Sequence, residues 1–258
     1  MTDQGLREEL LSQEPPLKGQ VAIVTGSVRR IGKATALAFA RAGAAVVINA
    51  RSSREEAEGA AAEVTAAGGR ALVQMADITD EAAVAAMVDK TVATFGRVDI
   101  LVNNAAIRAE VPTLELTFEQ WKKVTSVVLD GAFLCSRAVL AHMVKNKYGR
   151  IINLGGVSSH LGASERVHVA AGKSGLVGMT RSLAIEFAAH GITVNCVVPG
   201  RIGGERSATS GRGLQSNPPV GREGTFDDVA DMIVMLCRPT TGYITGQTIH
   251  VNGGLFLP

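Results

Sequence analysis

Side chains that can move protons or hold hydroxyl groups are concentrated between residues 158 and 173, where the sequence reads SSHLGASERVHVAAGK. A histidine such as His168 changes protonation near neutral pH and therefore suits general acid–base catalysis. The hydroxyl of Ser158 can donate to or accept from a substrate oxygen, and the ammonium group of Lys173 can donate to hydroxyls. Side chains of these types could together transfer a proton to or from a substrate, so Lys173, Ser158 and His168 are candidate catalytic residues.

Each candidate also has an interpretation in which it does no chemistry. His168 would then be a histidine of the surface or of a subunit interface, and the same holds for His160. Ser158 would bond its own backbone in a turn, as serine hydroxyls readily do. Lys173 would lie on a solvated helix face, which is common for lysine. The sequence alone leaves both interpretations of each residue open.

A second region with possible chemistry is the turn Thr25-Gly26-Ser27-Val28-Arg29-Arg30-Ile31-Gly32. It follows an apolar β-branched run and leads into the helix-like stretch KATALAFARAG. A glycine turn between a strand and a helix lets the backbone approach a pyrophosphate, and the helix N-terminus adds unpaired N–H groups. The turn predicts a phosphate site at Gly26, Arg29, Arg30 and Ile31, although a tight turn alone also needs glycine.

These residues need a scaffold, and from Leu17 onwards seven short apolar runs alternate with longer alanine-rich helical stretches. The runs are VAIVT at 21–25, AVVIN at 45–49, ALVQM at 71–75, DILVN at 99–103, RIINL at 150–154, ITVNCVV at 192–198 and QTIHV at 247–251. This alternation predicts a doubly wound α/β fold of the Rossmann type, with a seven-stranded parallel sheet covered on both faces. A length of 258 residues suits a single domain, which we expect over residues 17–258 after a flexible N-terminal leader, residues 1–16.

Composition narrows the function classes. Charged residues make up 19% of the chain and the formal net charge is +2, so no nucleic-acid-binding surface is indicated. No uncharged apolar run reaches the roughly 18 residues that a membrane span needs. The widely spaced Cys135, Cys196 and Cys237 suit core positions in a reducing compartment better than disulfides or a metal site. We expect a cytoplasmic protein without nucleic-acid or membrane partners and without a bound metal.

Several landmarks occur in an order that points to a known family. The TG turn at 25–26 is followed by Asn103-Asn104-Ala105-Ala106, by Lys173, by Pro199-Gly200 and by Asn252-Gly253-Gly254. With this order and spacing, residues 17–257 resemble the short-chain dehydrogenase/reductase family. The resemblance implies a nicotinamide dinucleotide cofactor, a small-molecule substrate and a homo-oligomer, either a dimer or a tetramer.

The adenosine end of the expected cofactor site favours NADP(H) over NAD. Arg30 stands where the family usually has glycine, which is similar to the turn of pteridine reductases, and Arg51-Ser52 follows the second strand. Guanidinium groups bind phosphate bidentately, whereas a binder of the ribose 2′-hydroxyl would carry an acidic residue after that strand. The further contacts implied by the resemblance are Asp77 and Ile78 at the adenine, Asn103 and Ala105 at the ribose, Ile202 at the nicotinamide, and Lys173, Pro199 and Gly200. Asp77 is equally well explained as the cap of a helix beginning near ITDEAAV.

The resemblance breaks down where the family does its chemistry. Family members use a tyrosine four residues before the lysine, a serine after the fifth strand and an asparagine on the preceding long helix. Counting these spacings onto this chain gives Val169, Gly156 and Val128. Only Lys173 matches the family's four residues, so the resemblance implies an atypical active site.

Three functions are compatible with this combination. The first is an NADP(H)-dependent oxidoreductase acting on a carbonyl, hydroxyl or other electrophilic small molecule, with its proton supplied by a histidine, a serine-bound water or Lys173. The second is a catalytically silent NADP-binding subunit, and the third is a non-redox lyase or isomerase on the same scaffold. The glycine-rich stretch from Gly200 to Gly221 is expected to be a mobile loop over the site.

Overall fold

The sheet contains the seven predicted strands, all parallel. The computed structural model describes residues 14–203 and 218–258. Its strands are β1 (Val21–Val24), β2 (Ala45–Ala50), β3 (Arg70–Met75), β4 (Ile100–Asn103), β5 (Gly149–Leu154), β6 (Ile192–Pro199) and β7 (Thr248–Val251). Their order in the sheet is β3-β2-β1-β4-β5-β6-β7, with Val24 of β1 facing Ile48 of β2 and Val102 of β4. The predicted fold class is confirmed.

Helices cover both faces of this sheet. In the described part of the chain they are α1 (Arg30–Arg41), α2 (Arg54–Ala66), α3 (Glu81–Phe95), α4 (Phe118–Thr125), α5 (Gly131–Asn146), α6 (Ser158–Leu161), α7 (Val167–Phe187) and α8 (Phe226–Cys237). Side chains of α1, α2 and α8 join one core cluster, and those of α3, α5 and α7 join the other. Each connection therefore crosses one face of the sheet before the next parallel strand begins.

Alternate residues of the strands build the two cores. Ile48 of β2 packs in one cluster with Phe39 of α1 and Ile233 of α8. Its neighbour Val47 points to the opposite face and packs in the second cluster with Met143 of α5. Because both faces are covered, apolar residues occupy successive positions of the strands rather than every second position. This explains why continuous β-branched runs predicted the strands well.

The three cysteines belong to the core, as expected from their spacing. Cys135, Cys196 and Cys237 all lie in the described part of the chain, and each is buried and free. Burial raises the pKa of Cys135 to about 12 and that of Cys196 to about 11. Both thiols therefore stay protonated near neutral pH and act as small apolar side chains.

One helical stretch, Phe118–Asn146, is long and apolar enough by length and composition alone to cross a membrane. It consists of α4, the π-helical turn Ser126–Asp130 and α5. In the fold it packs against α3 and α7, and two of its own residues, Val139 and Met143, are buried in the core. Its apolar character is accounted for by this packing within the domain.

Two predicted segments fall largely outside the described residues. Residues 1–13 of the expected leader and residues 204–217 of the expected mobile loop lie there. Leu17, just after the leader, is fully buried, and its N–H donates to the Ala42 carbonyl at 2.8 Å. The domain boundary at residue 17 stays a prediction.

The strand order places a cleft at one edge of the sheet. It reverses at β1, which pairs with β2 on one side and with β4 on the other. In doubly wound sheets ligands bind outside the carboxyl ends of the strands at such a reversal. The turn at 25–32, the irregular segment at 104–112 and the loop at 155–157 all leave the sheet at this edge. The predicted phosphate-binding turn therefore lies along the same edge as the segments that follow β4 and β5.

Candidate functional site

The turn after β1 is built on close backbone contacts that only glycine permits. Gly26 adopts a left-handed φ of 62°, and a Cβ there would lie 3.1 Å from the Cα of Ala105. A Cβ at Gly32 would lie 2.6 Å from Nδ2 of Asn104 and would also collide with the Gly26 carbonyl. The start of α1 is thereby held against the turn and against β4. This is the geometry expected of a pyrophosphate-binding turn.

Two asparagines hold this turn, and the sequence did not reveal their role. Nδ2 of Asn104 donates to the carbonyls of Thr25 and Gly26 at 2.8 and 2.9 Å. Oδ1 of Asn49, near the end of β2, accepts from the Gly26 N–H at 3.2 Å. In the sequence, an asparagine at or just after the end of an apolar strand could have indicated these contacts. These bonds fix the turn before any ligand arrives.

The two arginines that follow the turn lie at the N-terminus of α1. Arg29 is the N-cap residue in an extended conformation, and Arg30 has a left-handed φ of 53°, which is strained for a residue with a side chain. Both side chains are exposed, whereas Ile31 is buried in the core. No acidic residue lies in the first turn of α1. The N–H groups at the start of α1 and the positive end of its dipole therefore lie at this turn with no carboxylate from the first helical turn beside them.

At the adenosine end, Arg51 and Ser52 are exposed after β2, and Asp77 follows β3. Asp77 accepts from the N–H and the hydroxyl of Thr79 at 3.0 and 2.7 Å. These bonds, with a contribution from the Arg51 charge, lower the pKa of Asp77. Arg51 and Asp77 therefore lie close to each other after neighbouring strands, and their contact with the adenosine stays a prediction.

The helix-cap interpretation of Asp77 is wrong. The N-cap of α3 is Asp80, whose carboxylate accepts from the N–H groups of Ala82 and Ala83 at 2.9 and 3.1 Å. Asp77 instead closes an Asx turn three residues earlier. Two aspartates near a helix start look alike in sequence, and only the backbone path shows which one faces the free N–H groups.

Asn103, predicted at the ribose, anchors a buried polar network. Its Nδ2 donates to Asn153 of β5 at 2.8 Å and to Ser136 of α5 at 3.1 Å. Asn153 in turn donates to Thr180 of α7 at 2.9 Å. Within the described residues, Oδ1 of Asn103 is buried without a hydrogen-bond partner. The network links β4 through β5 to α5 and α7, and it leaves the Asn103 carbonyl oxygen as an acceptor without a donor among these residues.

The aliphatic side chains predicted at the cofactor are mostly turned into the protein. Ile78 is buried against α5, where a Cβ at Gly131 would meet its Cδ1 at 2.6 Å. Ile202 is partly buried and packs against Gly224 in the same manner. Contact with a cofactor from these two positions would therefore rely largely on backbone atoms.

The turn at Pro199 and Gly200, after β6, is held against the last residue of β7 and the residue that follows it. The Pro199 carbonyl accepts from the Val157 N–H at 3.1 Å, and the Gly200 N–H donates to Val251 at 2.9 Å. A Cβ at Gly200 would lie 2.5 Å from the Cβ of Asn252. Asn252 of the NGG landmark thus packs so closely on the PG landmark that only glycine fits at position 200, and together the two segments form one wall of the cleft.

Lys173 lies at the base of the cleft and is only 8% exposed. Its Nζ donates to the carbonyl of Leu154 at the end of β5. Burial lowers the pKa of Lys173 to about 8, and the nearby charge of Arg108 acts in the same direction. Among the described residues Leu154 is its one hydrogen-bond acceptor, so two N–H donors remain for a ligand. The interpretation as a solvated surface lysine is wrong.

Gly156 stands where the family has its serine, and the space that a side chain would fill there is open and borders Ser158. A Cβ at Gly156 would have only one atom within 4 Å, the Ser158 hydroxyl oxygen at 3.9 Å. The neighbouring Ser159 uses its hydroxyl on the Gly156 carbonyl at 2.6 Å. The turn hydroxyl suspected in the sequence is therefore Ser159, and Ser158 is the hydroxyl that borders the space.

An aliphatic wall occupies the positions of the family's tyrosine and asparagine. Val169 lies one helical turn before Lys173 and packs in one cluster with Val128, Ile107 and Ala109. We call these four aliphatic residues, Ile107, Ala109, Val128 and Val169, the aliphatic wall. Val128 sits in the π-helical turn, and a Cβ at Gly172 would lie 3.1 Å from its Cγ1. This wall has no group that can transfer a proton.

His168 is fully buried, so the interpretation as a surface or interface histidine is wrong. Neither ring nitrogen has a hydrogen-bond partner within the described ranges, and burial lowers its pKa. The ring is therefore neutral at pH 7. Its catalytic role stays a prediction, and no hydrogen bond among the described residues joins its ring to Lys173 or Ser158.

His160 belongs to a different part of the molecule. Its ring packs edge-on against His250 of β7, 4.7 Å between centroids, and against Phe256. These three residues line an open cavity of about 720 Å³ that also includes Arg181 and Gln247. That cavity contains none of the predicted site residues.

Known proteins share this arrangement over nearly the whole chain. Residues 26–256 match the family model described as enoyl-(acyl carrier protein) reductase. The chain is 43% identical over 242 residues to the (2S)-[(R)-hydroxy(phenyl)methyl]succinyl-CoA dehydrogenase subunit BbsD of Thauera aromatica, which covers 92% of this chain and 97% of that protein. It is 38% identical over 244 residues to the 3-oxoacyl-[acyl-carrier-protein] reductase FabG of Escherichia coli (strain K12), covering 93% and 98%.

A solved structure agrees with these similarities. The crystal structure of the acetoin dehydrogenase YohF from Salmonella typhimurium has a TM-score of 0.82 at 34% identity, covering 92% of this chain and 95% of that one. The glycine turn, the buried lysine and the parallel sheet occupy the positions that the resemblance implied. The chain therefore belongs to the short-chain dehydrogenase/reductase family, whose members are oxidoreductases that use a nicotinamide cofactor.

Proposed function

We propose that the protein is an NADP(H)-dependent oxidoreductase with a non-standard active site, acting on a carbonyl, hydroxyl or other electrophilic small molecule. The observation that carries this proposal is Lys173, a buried ammonium group at the base of the cleft with two N–H donors that find no acceptor in the part of the chain that the structure describes. Burying a charged lysine is costly unless its donors are satisfied. The hydroxyls of a nicotinamide ribose are the partners that such a position fits.

The remaining contacts of the cofactor follow from the cleft. The glycine turn at Gly26 and the N-terminus of α1 would hold the pyrophosphate. Arg29, Arg30 and Arg51 would surround a 2′-phosphate, with Asp77 beside the adenine. When bound, the cofactor supplies or accepts the hydride. The protein's own contribution is to orient it and to provide a proton at the substrate.

Proton delivery falls to Lys173 and Ser158 in this proposal. Lys173 is a stronger acid than an exposed lysine because burial lowers its pKa to about 8. The Ser158 hydroxyl borders the space beside Gly156, where a substrate oxygen or a water has room. His168 is a weaker candidate, since its neutral ring lacks any polar contact that would relay a proton.

NADPH is expected to bind at least about tenfold more tightly than NADH. The reason is that Arg51 lies next to Asp77 at the adenosine end, and no carboxylate follows β2. Changing Arg51→Asp should remove most of this preference, and Arg41→Asp, at the far end of α1, should leave it intact. Fluorescence titration of both cofactors measures the ratio. Equal affinities in the unchanged protein would refute the arginine argument.

A silent NADP-binding subunit is the second candidate, favoured by the aliphatic wall. Val128 and Val169 place apolar groups where the family transfers protons. The relative from Thauera aromatica is itself named as a subunit of a dehydrogenase. No observation on the described residues favours the lyase or isomerase over these two.

One experiment separates the candidates. Purified protein is titrated with NADPH and then mixed with ketones, imines and quinones while absorbance at the nicotinamide band is followed. Turnover of an intrinsically electrophilic substrate, such as an imine or a quinone, is expected, because general acid help is worth only about 10²–10⁴-fold. Tight NADPH binding without turnover of any compound would favour the silent subunit, and absence of binding would overturn both.

We also propose that the chain forms a cytoplasmic homo-oligomer. Phe133 of α5 and Ile185 of α7 expose 46% and 84% of their surface. The family resemblance assigns subunit contacts to these two long helices. Sedimentation analysis that finds only monomer at micromolar concentration would contradict the assembly.

A further inference from the structure

Arg108 projects from the rim of the cleft and has not yet been given a role. It lies in the irregular segment 104–112 that follows β4, between Ile107 and Ala109. Both neighbours pack into the aliphatic wall, whereas Arg108 keeps part of its surface exposed. Its guanidinium group lies close enough to Lys173 and to Arg30, on two sides of the cleft, for their charges to act on one another. Arg108 therefore lies where the aliphatic wall borders the cleft.

The segment that carries Arg108 is tethered across the cleft mouth. The Val111 N–H donates to the Glu165 carbonyl at 2.8 Å, and Glu110 forms an ion pair with Arg166. Glu165 and Arg166 directly precede α7, which carries Lys173. The backbone around Arg108 is thus held in place relative to the base of the site, as a recognition residue requires.

Arg108 is surrounded by positive charge. Burial and the charges of Arg30 and Arg166 lower its pKa, and its own charge helps to lower the pKa of Lys173. Within residues 14–203 and 218–258 it has neither a hydrogen-bond nor an ion-pair partner, and the nearby Glu110 is engaged by Arg166. Arg166 is thus already paired, and a bound anion would neutralise the charge of Arg108.

We propose that Arg108 binds a carboxylate of the substrate, whose apolar body lies against the aliphatic wall. This assignment rests on the proposed function and narrows its substrate class to carbonyl or hydroxyl compounds that carry an acidic group and an apolar body. The pyrophosphate of the cofactor offers the same anionic chemistry. It already has the N–H groups at the start of α1, however, and the wall beside Arg108 suits a carbon skeleton better than a phosphate.

The test compares a charged probe with its neutral analogue. Binding of 4-oxo-4-phenylbutanoate and of its methyl ester is measured by calorimetry, without cofactor and with saturating NADPH. The unchanged protein, Arg108→Ala and Arg108→Lys are compared, with Arg41→Ala as a matched control at the opposite edge of the sheet. NADPH affinity of each variant is measured separately by fluorescence.

The acid is expected to bind at least about tenfold more tightly than the ester to the unchanged protein and to Arg41→Ala. Arg108→Ala should abolish this ratio by weakening the acid alone, and Arg108→Lys should keep part of it, because the charge remains without the bidentate fork. The NADPH affinity of Arg108→Ala should change by less than about twofold, since this group is assigned to the substrate.

Two results would overturn this inference. One is equal binding of acid and ester by the unchanged protein. The other is an Arg108→Ala variant that loses NADPH affinity but keeps the acid–ester ratio, which would assign Arg108 to the pyrophosphate. Because the ratio is measured without cofactor, it is independent of the proposed function. A protein that selects the acid through Arg108 but never binds or oxidises NADPH would refute the proposed function alone.

Discussion

Changing Val169→Tyr together with Gly156→Ser is expected to create or greatly raise ordinary carbonyl reductase activity, by about 10²–10⁴-fold in kcat/KM. The change restores two hydroxyl groups beside Lys173 without altering the cofactor cleft. The tyrosine would lie one helical turn before Lys173 on the same face of α7, where the ammonium group lowers the pKa of a phenol. NADPH oxidation with a broad panel of ketones and aldehydes measures the gain.

The structure leaves open space at Gly156, whereas a tyrosine at position 169 would have to extend past the aliphatic wall. A Cβ at Gly156 meets nothing closer than the Ser158 hydroxyl at 3.9 Å, so serine fits without strain. Val169 is only partly buried, which lets a longer ring extend towards the cleft. Contact of the ring with Val128 is expected to cost about 1–3 kcal/mol of stability if the wall does not adjust. Adding Val128→Asn should raise the activity further by supplying a polar relay.

The matched control is Val169→Phe with Gly156→Ser, which adds the ring but no phenolic hydroxyl. It should stay inactive on the same compounds while binding NADPH equally well. A folded tyrosine–serine variant that binds NADPH yet reduces no carbonyl would show that the site has diverged beyond its acid. That outcome would favour the silent subunit.

Replacing Lys173→Met is expected to stabilise the cofactor-free protein at pH 7 by up to about 3 kcal/mol and to weaken NADPH binding at least about tenfold. The stabilisation reflects the cost of burying the ammonium group, whose pKa falls from 10.5 to about 8 on folding. Methionine has a similar length and no charge to bury. Urea denaturation and fluorescence titration measure the two effects.

The stabilisation should depend on pH in a defined direction. Below pH 8 the lysine is protonated in both folded and unfolded chains, so the unchanged protein bears the full burial cost. Between pH 8 and 10.5 the folded lysine loses its proton first, and the unchanged protein gains stability relative to the methionine variant. The difference between the two proteins should therefore shrink over this range. The exposed Lys90→Met provides the control and should show no such trend.

The combination of higher stability and weaker NADPH binding in Lys173→Met is what distinguishes a ligand-binding role of Lys173 from a packing role. A residue that only packs would lose stability on replacement and leave the cofactor affinity unchanged. If Lys173→Met destabilised the protein at pH 7, the Leu154 carbonyl and the surrounding dipoles would have to compensate the charge fully. The ammonium group would then need no ligand, and the main support for the proposed function would be lost.

The fold was predictable from the sequence because its cause is local and repeated. Every residue of the five central strands, β2, β1, β4, β5 and β6, is buried, so runs such as AVVIN and ITVNCVV are apolar at most positions and stand out from the helical stretches. The glycine turn was visible for a related reason, since Gly26 and Gly32 are demanded by contacts that admit no Cβ. That Val169 stands where the family has its tyrosine followed from the resemblance, counted back from Lys173.

Which side chains line the cleft depends on which elements meet there. Only the tertiary structure determines this. Asp80 rather than Asp77 caps α3, Ser159 rather than Ser158 closes its own turn, and His168 points into the core. Arg108 and Asn104 gained their roles only when the segment after β4 was placed against β1 and α7. Sequence spacing specifies where a Cα lies along its own element, whereas the direction of a side chain is set by packing against neighbours distant in sequence. The chemistry of this site depends on those directions.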